Sequence, residues 1–197
     1  MKNEQMVRQR LLTAALDLFV RKGYAATTVR EIVAAAGVSK PTLYYYFTNK
    51  EGIYLEMMTR TFALFQGIVD QISDSHGPAR ERIIHFATMI FDSVLENIEV
   101  VRLIYAIFFG PPQGTPHFPH DHYFTTMLAV IANMAQEGMD AGEFRKVEVD
   151  DVAWTIVSSM NTIMEEQICH VPPRADRARL MSMLNLYLDG IAVGKRT

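Results

Sequence analysis

Apolar residues recur along this chain at spacings of three and four, and no stretch alternates apolar with polar residues beside a hairpin turn pair. That periodicity predicts an all-α protein. Val7, Leu11, Ala14, Ala15, Leu18 and Phe19 form one stripe of a helix over residues 4–22, and Gly23 follows as its left-handed stop. Thr28 and Glu31 have the spacing of a capping box, which starts a short helix through Ile32, Val33 and Ala36 to Gly37. Ser39 caps a third helix, with Pro41 in the first turn, where a missing N–H costs nothing, and Leu43 and Phe47 turned inward. Asn49 caps a long fourth helix over 50–75 that carries Ile53, Met57, Met58, Phe62, Phe65, Val69 and Ile72. Further helices are expected over 79–97, 100–109, 123–139, 151–170 and 174–193, separated by Gly- and Pro-rich breaks.

The two short helices joined by Ala36-Gly37-Val38-Ser39 make a helix-turn-helix over about residues 28–47, a motif whose second helix enters the major groove by its N-terminal residues. With 197 residues, 49% hydrophobic and 21% charged, the chain has material for a small head and one larger folded body. The expected division is a DNA-binding domain over 1–49 and a helical domain over 50–197, joined by the long fourth helix. Lys2, Glu4, Arg8 and Arg10 have no apolar segment behind them, so a secretory signal is not expected. The apolar run from Leu103 to Phe109 is too short for a bilayer, which takes about 20 residues. A single cysteine, Cys169, excludes an internal disulfide and suits a reducing cytoplasm, the expected location.

Charge sharpens this division. Residues 1–60 hold nine Lys and Arg against five Asp and Glu, whereas the remainder holds ten against seventeen, within a net charge of -3. A basic head on an acidic body directs phosphate contact to the head alone.

Several segments of the head follow a known order and spacing: Gly23-Tyr24, Thr27-Thr28-Val29, Ile32-Val33, Ala35-Ala36-Gly37-Val38-Ser39, Thr42-Leu43-Tyr44-Tyr45-Tyr46-Phe47 and Asn49-Lys50-Glu51. In these, about the first 57 residues, the chain resembles the tetracycline-repressor (TetR) family of transcriptional regulators. The resemblance implies that the threonine opening the second helix and the tyrosines of the third grip phosphates, while residues beginning the third helix read bases. The expected DNA contacts are therefore Thr28, Ser39, Lys40, Pro41, Thr42, Tyr44, Tyr45, Tyr46 and Lys50. Hydroxyls, ammoniums and free N–H groups at a helix start are also the donors that phosphate oxygens require. The bland reading makes the tyrosines core aromatics, but three consecutive residues stand about 100° apart around a helix and cannot all face one core. The resemblance also implies that the fourth helix is the switching lever between body and head.

In the body the resemblance is confined to size, helix content and the turn Gly142-Glu143-Phe144-Arg145. Two readings stand there. His85, Phe86, Met89, Ile90, Phe91, Tyr105, Phe108, Met127 and Met164 line a cavity for an apolar or amphipathic effector, with methionines adapting to its shape, or they simply fill a core. Ile156, Met160 and Ile163 on one late helix and Leu184, Leu188 and Ile191 on the next form stripes suited to a homodimer, or else pack within one subunit. His117, His120, Asp121 and His122 crowd one loop, but neither helical spacing nor a cysteine pair supports a closed metal site, so no metal or cofactor is expected. No phosphate loop or nucleophile-base pair points to an enzyme. The expected partners are double-stranded DNA, a small molecule and a second copy of the chain, with no membrane; the expected function is a ligand-released repressor at a pseudo-palindromic operator. The alternative is a constitutive DNA-binding regulator or a protein-interaction module without effector.

Overall fold

A computed structural model describes residues 2–194, with side chains from residue 4. Among these residues there are nine helices: α1 (Lys2–Lys22), α2 (Val29–Ala36), α3 (Lys40–Tyr46), α4 (Lys50–Ser73), α5 (Ala79–Glu96), α6 (Ile98–Phe109), α7 (Asp121–Asp140), α8 (Val149–Cys169) and α9 (Arg177–Ile191). An isolated bridge, Phe144 to Ala192, is the sole β-type pairing among them. The all-α expectation holds. No helix among the described residues is long and apolar enough to cross a membrane.

By packing, the chain forms two units, residues 1–63 with 97–118, and residues 64–96 with 119–197. The first is built on the helix-turn-helix. Leu11, Ala15 and Phe19 of α1, Ile32 and Ala36 of α2, Leu43 of α3, and Ile53, Tyr54 and Met58 of α4 share one core, into which α6 inserts Leu103. α6 therefore packs with the head, although it lies well beyond residue 49 in the chain.

In the second unit α7 packs along α8, with α5 and α9 against them. The turn after α7 shows how sequence fixes this packing. Gly142 adopts φ 74°, which a glycine takes without steric cost. The Glu143 carboxylate accepts from the backbone N–H groups of Ala79 (3.0 Å) and Arg80 (3.4 Å), so it caps the start of α5. Phe144 is buried, and its ring lies where a side chain on Gly138 would stand.

The residues expected at a dimer interface lie inside the single subunit. Ile156, Met160, Ile163, Leu184, Leu188 and Ile191 are all buried within the single subunit, at most 4% exposed. Within the subunit α8 packs against α5, α7 and α9, and α9 packs against α5 and α8. What α8 and α9 leave outside is a different set, with Trp154 53% and Leu186 78% exposed.

Candidate nucleic-acid interface

The interface begins with two capped helices. Thr28 accepts from the Glu31 backbone N–H (3.3 Å), and its own N–H donates back to Glu31 Oε2 (2.9 Å), closing the expected capping box. The Thr28 hydroxyl also donates to that carboxylate (2.7 Å), and Lys22 donates to its other oxygen. The Lys22 ammonium, and after it the Thr28 hydroxyl and N–H, hold the Glu31 carboxyl down at about 2. α2 ends at Gly37 with φ 62°, where Val38 N–H returns to the Val33 carbonyl (3.0 Å). Ser39 then accepts from Thr42 N–H (3.2 Å) and opens α3.

This turn aims the third helix outward by its first residues. Leu43 and Phe47 seat it in the core, while Ser39, Lys40, Pro41, Tyr44 and Tyr45 are exposed and Thr42 is half-buried. Tyr44 is 52% and Tyr45 74% exposed, whereas Tyr46 packs partly against the core and meets the Tyr45 ring edge-on at 4.9 Å. Lys40, and Arg30 on α2, are exposed with no ion-pair partner among the described residues. The exposed surface thus offers two free cations, two phenols and the start of a capped helix, the donor set a phosphate backbone and base edges need.

Lys50, also expected at phosphates, is half-buried. Its ammonium donates to the carbonyls of Tyr24 (2.7 Å) and Thr27 (2.9 Å) and lies 4.1 Å from the centre of the Tyr24 ring. Burial lowers its pKa. It ties the start of α4 to the turn between α1 and α2. Arg10 acts similarly at the other end of α2, donating to the carbonyls of Ala36 and Gly37. No local pattern marked Arg10, because its partners are 26 and 27 residues away.

The expected effector residues divide between the units. Phe86, Ile90, Phe91, Met127 and Met164 are buried in the second, Met89 is half-buried and His85 is exposed. Tyr105 and Phe108 belong to the first unit, where each lies against Phe109, at 5.5 and 5.8 Å between ring centres. Two surface depressions, of about 340 and 440 Å³, are lined by Pro173 to Asp176, Ala178, Arg179 and Ser182, and by Gln5, Met6, Arg8, Gln9 and Arg60, none of them among those residues. No group of three metal-ligating side chains converges among the described residues, those of the 117–122 loop included.

The model of bacterial regulatory proteins of the tetR family matches residues 11–57, the segment that builds this surface. The HTH-type transcriptional repressor ComR of Escherichia coli (strain K12) is 43% identical over 201 residues, covering 96% of this chain and 79% of that one. Two other bacterial regulators match over 49% and 45% of their own length, so there the chain spans about half of the relative. Among solved structures, the TetR family protein CprB from S. coelicolor A3(2) superposes with a TM-score of 0.71 at 23% identity, over 98% of this chain and 92% of that one. A gamma-butyrolactone receptor (ArpA-like protein) does so with a TM-score of 0.66 at 24% identity, over 96% and 99%. With its capped helix-turn-helix, and with a relative this similar along almost its whole length, the chain belongs to the TetR family of bacterial transcriptional regulators.

Proposed function

We propose that the chain is a dimeric transcriptional repressor that binds a pseudo-palindromic operator through residues 1–49 and is released from it by an apolar or amphipathic small molecule held by residues 50–197. The observation that carries this reading is the outward start of α3, where Lys40, Pro41, Tyr44 and Tyr45 are exposed while Leu43 and Phe47 fix the helix from behind. Lys40, Tyr44 and Tyr45 hold phosphates, Thr42 and Pro41 meet base edges, and Thr28 and Ser39 set the helix starts. Lys50 acts from inside, by holding the turn before α2. The similarity to ComR, named as a repressor, supports the direction of control. The gamma-butyrolactone receptor shares the fold and is named for a small molecule, which supports an effector.

The effector site on this reading involves Phe86, Ile90, Phe91, Met127 and Met164, where a ligand displaces flexible methionines. A second copy docks on the outer faces of α8 and α9 around Trp154 and Leu186. A tenfold loss of operator affinity needs only about 1.4 kcal/mol of difference in ligand affinity between the two conformations. The complete burial of Phe86 and Phe91 favours a second reading, in which the body is packed shut and DNA binding is constitutive. Selecting duplexes from a random pool, then titrating the best with a panel of fatty acids and lactones, separates the two. An inverted repeat whose affinity falls with a panel member supports the first reading; an affinity no member changes supports the second.

A further inference from the structure

Residues 97–118 belong by packing to the first unit, yet they lie in the chain between two segments of the second, 64–96 and 119–197. The segment is therefore joined covalently to residues of the second unit at both of its ends. What the segment touches in the head decides what that connection can do.

Its last part, after α6, is tied to one residue. The Gln113 side-chain oxygen accepts from the Tyr24 backbone N–H at 2.9 Å, across 89 residues of sequence. The same side chain donates to the Ala106 carbonyl in the last turns of α6 (3.4 Å), so one amide joins α6 to the turn before α2. Thr115 adds a second tie, hydrogen-bonding Tyr54, whose ring meets Tyr24 edge-on at 5.4 Å. Tyr24 is in turn held through its carbonyl by Lys50 and packed against Phe19 at 5.1 Å. The approach is close at Gly23: a Cβ there would stand 3.0 Å from the Gln113 oxygen, and φ is 84°. Four residues beyond Tyr24, Thr28 caps α2. Tyr24 is thus gripped on its N–H by the connection after α6 and on its carbonyl by α4.

We propose that Gln113 is a positioning residue for DNA binding: through the Tyr24 N–H it fixes the turn that sets the start of α2, and it makes the orientation of the helix-turn-helix depend on where α6 stands. This rests on the DNA-binding reading above and names the contact by which that activity is regulated. Loss of the Gln113 acceptor leaves the half-buried Tyr24 N–H unpaired and frees the turn, while Lys40, Tyr44 and Tyr45 keep their phosphate-binding groups. Specific binding, which needs the α3 register, then falls, and non-specific binding, which needs only charge, does not.

The test uses the full chain, a duplex selected by the wild-type protein and a random duplex of equal length. Gln113→Ala is expected to lower affinity for the selected duplex about tenfold and to leave that for the random duplex within about twofold. It should also speed amide hydrogen exchange at Tyr24 and in the first turn of α2. Gln113→Glu keeps an acceptor for the Tyr24 N–H but gives up the donation to the Ala106 carbonyl, so it should restore protection at Tyr24 and recover affinity only in part. Unchanged selective affinity in Gln113→Ala overturns the proposal, as does an equal loss on both duplexes, which marks general unfolding, or a Gln113→Glu protein with no more protection at Tyr24 than Gln113→Ala. A wild-type protein that selects no duplex would instead refute the DNA-binding reading itself, and the exchange data would still report whether the tie at Tyr24 exists.

Discussion

The ammonium of Lys50 lies 2.7 Å from the backbone oxygen of Tyr24 and 4.1 Å from the centre of the same residue's ring. Lys50 is half-buried with carbonyl acceptors on its ammonium, which separates it from Lys40, exposed at the start of α3. A lysine that neutralises a phosphate contributes about 0.9 to the slope of log affinity against log salt. Lys40→Met is therefore expected to flatten that slope by about 0.9, while Lys50→Met lowers affinity with the slope unchanged. Binding titrations at four salt concentrations measure both; a flattened slope in Lys50→Met would return that residue to the phosphate backbone.

Glu31 gives the head a pH dependence. Its carboxyl is held at about 2, below the ordinary carboxylate range, by the Lys22 ammonium and then by Thr28. A carboxyl depressed by folding contributes stability above its unfolded pKa, and that contribution is lost as pH falls through the folded value. Glu31→Gln should lower the urea midpoint of the head at neutral pH, and the gap from wild type should close as pH approaches about 2. A gap that stays constant with pH would show that the charge on Glu31 plays no part.

Gly138 tests the packing of the second unit by sign. Alanine for glycine inside a helix ordinarily stabilises by about 1 kcal/mol. Here a Cβ would stand 2.5 and 2.6 Å from carbons of the Phe144 ring and 2.8 Å from the Ala79 Cβ. The clash outweighs the propensity, and Gly138→Ala should destabilise by about 1–3 kcal/mol in denaturant unfolding. A more stable variant would mean that Phe144 is free to move aside.

Burial of the α8 and α9 stripes separates stability from assembly. Leu184→Ala should cost about 2–5 kcal/mol of subunit stability, because it opens a cavity in the core of one chain. Leu186→Asp, on the exposed side, should leave the fold intact and shift sedimentation toward the 22.4 kDa monomer. A Leu186→Asp protein that still sediments as a dimer would place the interface elsewhere.

Much of the head is legible in sequence because its signals are local. The Thr28–Glu31 box, Gly37, Ser39 and the inward pair Leu43 and Phe47 all act within four residues, and all are found where spacing puts them. Lys50 and Gln113 escape such reading because each owes its role to Tyr24, 26 and 89 residues away. The stripes of α8 and α9 are ambiguous for a different reason. Periodicity reports that a helix face is buried but not what buries it, and here the neighbours are helices of the same subunit. The effector residues are obscured in the same way, since an apolar stripe reads alike whether it lines a cavity or fills a core.

Reading of a specific duplex by the exposed start of α3 is measured by fluorescence anisotropy with an operator selected by the wild-type protein. Thr42→Ala and Tyr44→Ala are compared with wild type on that operator and on a random duplex. Wild type should prefer the operator by at least about a thousandfold. Thr42→Ala should erode that ratio, while Tyr44→Ala should weaken both bindings together. Equal affinity of the wild-type protein for operator and random duplex, or a ratio untouched by Thr42→Ala in a folded protein, would show that the start of α3 does not read bases.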